Sequence, residues 1–217
     1  MKIGDLFLPL MLFLLVYGCF AQKSAENPET TKSSYPDLLA KLKGGDISID
    51  YKALRIAFSQ TKDSGPYGSD RDVWRKMYSA LNGKKYKDAI KAADEILRSE
   101  FVNADAHAVK SIAYRALEDT QKADFHKAVY LGLLNSIITG ADGKTADTAF
   151  VVISTEEEYS VMRALGYSVL SQSLVHQGDH TFDVLSGTDQ KTNAPVTVYF
   201  NIDIVWKAET NMFSPKS

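Results

Sequence analysis

The chain of 217 residues reads as an α+β fold, with antiparallel helical hairpins followed by a small β-α-β-β-β domain. Two hydrophobic periods predict it. Between Asp72 and Ile138 apolar residues recur roughly every 3.6 positions, the spacing of a helix that buries one face. Between Val196 and Trp206 the period falls to about 2: Val196, Val198, Phe200, Ile202, Ile204 and Trp206 alternate with Thr197, Tyr199, Asn201 and Asp203. That pattern predicts an antiparallel strand with one buried face. Gly140, a helix-stopping glycine, separates the two regimes.

The chain opens with the pattern of an export signal, residues 1–21. Lys2 precedes an apolar run, Leu6 to Tyr17, and the small residues Gly18, Cys19 and Ala21 follow it. The run is about a dozen residues, too short to cross a hydrocarbon core of roughly 30 Å. Two processing routes fit: ordinary cleavage after Ala21, or lipidation of Cys19 within the approximate lipoprotein box Val16-Tyr17-Gly18-Cys19. Both place the protein outside the cytoplasm, as a periplasmic, secreted or lipid-anchored bacterial protein that meets the membrane only through such an anchor. Residues 22–35 are polar and proline-containing and read as a disordered tether.

Residues 36–139 form the helical region. A short helix starts at Pro36 and stops at Gly44-Gly45, and Asp50 caps a second, Tyr51 to Gln60. After a turn-rich linker at 63–69, four helices follow: Asp72–Leu81, Tyr86–Arg98, Ala104–Leu117 and Thr120–Ile138. Their short breaks make consecutive helices antiparallel neighbours. Ala89 and Ala123 lie 34 apart, Tyr86 is in register with Ala89, and Ala113, Tyr114 and Leu117 fill small, aromatic and apolar positions. The segment therefore resembles two degenerate tetratricopeptide repeats, whose period is about 34 residues. Two repeats bury too little surface to stand alone, so flanking segments must cover their open end.

Residues 140–217 form the α+β domain: a strand at Phe150–Ile153, a helix that buries Tyr159, Met162 and Leu165, and strands at about 168–176, 181–185 and 196–206. Ser154 and Thr155, with Glu157 and Glu158 three residues on, predict a capping box. Glu156-Glu157-Glu158 reads as this helix start and not as an acidic pair, because adjacent helical positions point in different directions.

Composition excludes several classes. A net charge of −2 gives no basic field for nucleic acid. Cys19 is the only cysteine, so the mature chain has neither a disulfide nor a cysteine metal site. A core must hold the fold, and 45% hydrophobic and 11% aromatic residues can supply one.

Candidate chemistry is sparse. His176 and His180 bracket a Gln-Gly-Asp turn with Asp183 close behind, and two imidazoles plus a carboxylate can hold zinc. A solvated hairpin turn explains the same residues. Tyr199, Asn201 and Asp203 share a strand face as candidate ligand contacts, or as a wet sheet face. His107 and His126 read as groove or surface residues on different helices. Gly140-Ala-Asp-Gly143-Lys144-Thr145 has neither the spacing nor the strand-to-helix order of a phosphate loop. Ser171 or Ser173, His176 and Asp203 make a triad only on paper, since no nucleophile elbow presents the serine. No catalytic residue and no cofactor follow.

The motifs Thr148-Ala-Phe-Val-Val-Ile-Ser154, Arg163-Ala-Leu-Gly166, Ser171-Gln-Ser-Leu174 and Val198-Tyr-Phe-Asn-Ile-Asp203, with Gly140-Ala-Asp-Gly-Lys144 and Glu156-Glu-Glu-Tyr159, resemble an uncharacterised family of exported bacterial proteins. In that family a tetratricopeptide-like segment precedes this small domain. The resemblance covers roughly Tyr51 to Ile204 and implies layout and export, but no activity. The expectation is a non-catalytic binding or scaffold protein of the cell envelope that acts through protein contacts. The alternative is a metal-assisted hydrolase using His176, His180 and Asp183.

Overall fold

A computed structural model describes residues 34–213 of the chain. The expected leader, Cys19 and most of the expected tether lie outside these residues. Helices begin where a short polar side chain can take the first free amides. Ser34 Oγ accepts from Asp37 N to start α1 (Tyr35–Lys43), so the last two tether positions already belong to a helix start. Asp50 caps α2 (Tyr51–Phe58), Asp70 caps α3 (Arg71–Asn82), Asn103 caps α5 (Ala104–Ala116) and Asp119 caps α6 (Thr120–Ile138). Between α3 and α5, α4 (Tyr86–Ser99) starts without a side-chain cap. Helices α3 to α6 pack in chain order, each against the next.

The strands are β1 (Phe150–Val151), β2 (Tyr167–Gln177), β3 (His180–Asp189) and β4 (Pro195–Asn201), in the sheet order β1-β4-β3-β2. Helix α7 (Thr155–Leu165) joins β1 to β2, and α8 (Asp203–Phe213) follows β4. The α+β class holds, with three corrections to the expected detail. The sheet is mixed: β4 runs antiparallel to β3 but parallel to β1. The last strand stops at Asn201 instead of Trp206, and Asp203 opens a helix. Ile202 and Val205 are both buried, a spacing of three that belongs to a helix and not to a strand. Leu165, expected to be buried by α7, is 38% exposed.

The capping box at the start of α7 does not form, and Ser154 Oγ is buried with no hydrogen-bond partner. Glu157 is drawn elsewhere. It accepts from Ile153 N and grips Arg55 of α2 through Nε at 2.6 Å and Nη2 at 2.5 Å. The Arg55 side chain is 2% exposed and also donates to Val151 O and Ser136 Oγ, so one guanidinium joins α2, α6, β1 and α7.

The helical and α+β parts share cores. Leu134 and Ile137 of α6 pack with Phe150, Leu185, Val198 and Phe200 of the sheet and Val161 and Met162 of α7. On another face of α6, Val129 and Leu133 meet Leu38, Leu42, Leu54 and Phe58 of α1 and α2. A third cluster holds Met77 of α3 against the alanine-rich face of α4 and Ala106 and Val109 of α5. The flanking segments thus cover the helical array, as expected of a short one. Among the described residues no helix is long and apolar enough to cross a membrane.

Candidate ligand-binding cleft

Helix α3 leaves most of itself in water, and Met77 is its one buried residue. Arg71, Trp74 and Arg75 fall at i, i+3 and i+4, so they share a face of this helix. That face looks toward α7, whose Thr155, Tyr159 and Arg163 also repeat at i+4 and i+8. Tyr67 and Ser69 of the linker and Glu156 complete a cleft of about 560 Å³. Clefts that hold small ligands span roughly 300–1,000 Å³.

The linker is fastened to α7. Thr155 donates to Pro66 O through both its amide and its hydroxyl, at 3.0 and 3.2 Å. Glu156 Oε1 accepts from Ser69 N at 3.0 Å and Ser69 Oγ at 2.7 Å, while Oε2 accepts from Asn103 Nδ2 at 2.8 Å. Gly68 permits this approach: it has φ +73°, and a Cβ there would lie 2.3 Å from the Glu156 carboxyl carbon. Burial raises the Glu156 carboxyl above its usual range, against the opposing pull of the Ser69 hydrogen bonds.

Arg163 pairs with the buried Asp105 of α5 through Nη2 and lies over the Trp74 ring, 5.6 Å from its centroid. Arg75 pairs through Nη2 with the exposed Asp72. Among the described residues Arg71 has no hydrogen-bond or ion-pair partner. The Tyr159 hydroxyl donates to Gln172 Oε1 at 3.0 Å. Tyr159, read from the sequence as core, is half-buried and forms a wall of the cleft.

The expected sites lie elsewhere. His176 pairs across the hairpin with Thr181, and Gln177 with His180. Side chains alternate along a strand, so His176 and Asp183 lie on one sheet face and His180 on the other. The three residues do not converge, and no group of three His, Cys, Asp or Glu side chains suited to a metal occurs among the described residues. His176 Nδ1 meets Thr181 Oγ1, and His180 Nδ1 meets Asp203 Oδ2 at 2.6 Å, a bond that raises the His180 pKa. Asp203 also accepts from Thr181 N and Asn201 Nδ2, so two of the three expected ligand contacts are bonded to each other at the start of α8. Tyr199 is half-buried on the face shared with Asn201; His180 and Asn201 border a separate hollow of about 360 Å³.

His107 and His126 are buried, not groove residues. His107 Nε2 lies 2.9 Å from Phe101 O and must carry the proton, so Nδ1 accepts from His126 Nδ1 at 2.8 Å. Burial pushes both down to about 3.

Over residues 22–211 the chain matches the family profile described as Domain of unknown function (DUF4919). The chain belongs to that family. No curated protein and no solved structure shows significant similarity to this DUF4919 member. The residues that form its cleft, apart from the quoted Glu156, Tyr159 and Arg163, carry no motif. The Arg71-x-x-Trp74-Arg75 spacing on an exposed helix is the signal that could have flagged them.

Proposed function

We propose that the protein is a non-catalytic binding protein of the bacterial cell envelope, and that its ligand contact is the cleft between α3 and α7. The observation that carries this reading is the convergence of three guanidiniums and three aromatic rings, from elements some 80 residues apart in sequence, around about 560 Å³ of open space. The nearby acidic groups are engaged: Glu156 accepts from Ser69 and Asn103, Asp105 pairs with Arg163, and Glu209 is hydrogen-bonded by Tyr67. A carboxylate held in this way anchors a wall and is poorly placed to exchange protons with a substrate. Export rests on Lys2, the apolar run from Leu6 and the small residues up to Ala21.

The test is retention of envelope material. Immobilised protein should hold a specific component of solubilised envelope, of any chemical class, and Trp74→Ala should release it while leaving the far-UV circular dichroism unchanged. Recovery of nothing specific by the parent protein would remove the proposal.

A further inference from the structure

The geometry points to an acidic saccharide, a sugar ring bearing a carboxylate or a phosphate, as the ligand of the α3–α7 cleft; this rests on the binding role proposed above and adds its chemistry. The donors and acceptors facing the space are unequal. Both oxygens of Glu156 are taken, Asp105 is held by Arg163, and the hydroxyls of Tyr159 and Thr155 donate to Gln172 Oε1 and Pro66 O. The donors are in surplus. Arg71 is unpaired among the described residues, and Arg75 and Arg163 each use only Nη2, leaving Nε and Nη1 on both. A guanidinium has five N–H groups in a planar fork that matches carboxylate and phosphate oxygens. The Arg75–Asp72 pair, with side chains 72% and 80% exposed, is the weak kind that a ligand anion can replace.

The rest of the wall selects the body of the ligand. Trp74, Tyr159 and Tyr67 offer ring surface, against which the C–H face of a sugar can lie. A bare inorganic anion satisfies the guanidiniums but leaves the rings in water. A saccharide supplies hydroxyl oxygens that accept, a ring face, and the acid group.

The inference is tested by calorimetric titration of the purified protein with four probes: a uronic acid disaccharide, glucose 6-phosphate, a neutral disaccharide and a short peptide with a free C-terminus. Saturable binding of either acidic sugar is expected, and the carboxylate and phosphate arms show which source the cleft prefers. Arg71→Gln, a change at an exposed and unpaired side chain, should weaken that binding about tenfold. Added salt should weaken it further. Equal affinity for the neutral disaccharide, binding of the peptide alone, or indifference to Arg71→Gln would overturn the acidic-saccharide assignment. If no probe binds while Trp74→Ala still abolishes envelope retention, the ligand class is wrong and the binding role stands. If retention also fails, both fall.

Discussion

Glu158 is 0% exposed, and its buried carboxyl finds only another acid, Asp183, as a hydrogen-bonding neighbour among the described residues. Beside it lies Asp183, itself held by Gln172 Nε2 at 2.6 Å. Burial, and then the neighbouring Asp183 charge, push Glu158 up to about 9, so it is folded in as a neutral acid. An acid raised in the folded state binds a proton that the unfolded chain has released, so its contribution falls as pH rises from about 4.5 to about 9. Glu158→Gln should remove that loss. Measured by urea unfolding, the stability of the variant relative to the parent should rise by roughly 2–4 kcal/mol between pH 5 and pH 8. A difference that stays constant across this range would mean that Glu158 is ionised in the fold. Its two neighbours in sequence show how little the run of three glutamates disclosed. Glu156 turns to Ser69 and Asn103, Glu157 to Arg55 and Glu158 to the sheet. That they diverge was legible from helical geometry, but their partners were not.

The same division holds for elements. Helix starts were readable because a cap and the amides it satisfies lie within about three residues of each other. The end of the chain misled because Ile202, Ile204 and Trp206 suit either period over so short a run. What decides it is packing: Ile202 and Val205 both reach the core that contains Phe200. In the hairpin of β2 and β3, Gly187 faces Ser168 so closely that a Cβ would sit 1.7 Å from the Ser168 carbonyl oxygen. The crowding lies beside the register shift between Val169 and Ser171. Gly187→Ala should therefore cost at least ~2 kcal/mol, since backbone has to move. A thermal midpoint within a degree or two of the parent would show that the two strands can part there without cost. The cleft belongs to this scale as well. Half of it, on α3, had a readable spacing, whereas the α7 half becomes meaningful only when the two helices are brought together.

Across the molecule, buried ionisable groups set opposing limits on pH. The His107–His126 pair, depressed to about 3, loses its contribution as pH falls below about 6.5. Glu158 and Glu100, raised to about 9 and about 8 with burial as the main cause in each, lose theirs as pH rises above about 4.5. Between these values the two slopes oppose each other. Stability should thus be greatest within about pH 4.5 to 6.5 and fall on both sides, with the alkaline fall beginning below pH 8. Urea midpoints measured from pH 3.5 to 9 check this, and a maximum at pH 8 or above would contradict it.

By itself the sequence determined the helices before α8, the α+β class and the order of most elements, because periodicity and caps act within a turn or two of the chain. Only the tertiary structure decided which charges are paired, which are neutral and which face a common space. Arg55 finds Glu157 at a separation of 102 residues, and Arg163 finds Asp105 at 58. Desolvation depends on what packs over a group, not on what precedes it. A histidine that reads as a surface residue can therefore be held neutral in a core, and two arginines on an exposed helix come to line a cleft when α7 lies opposite them.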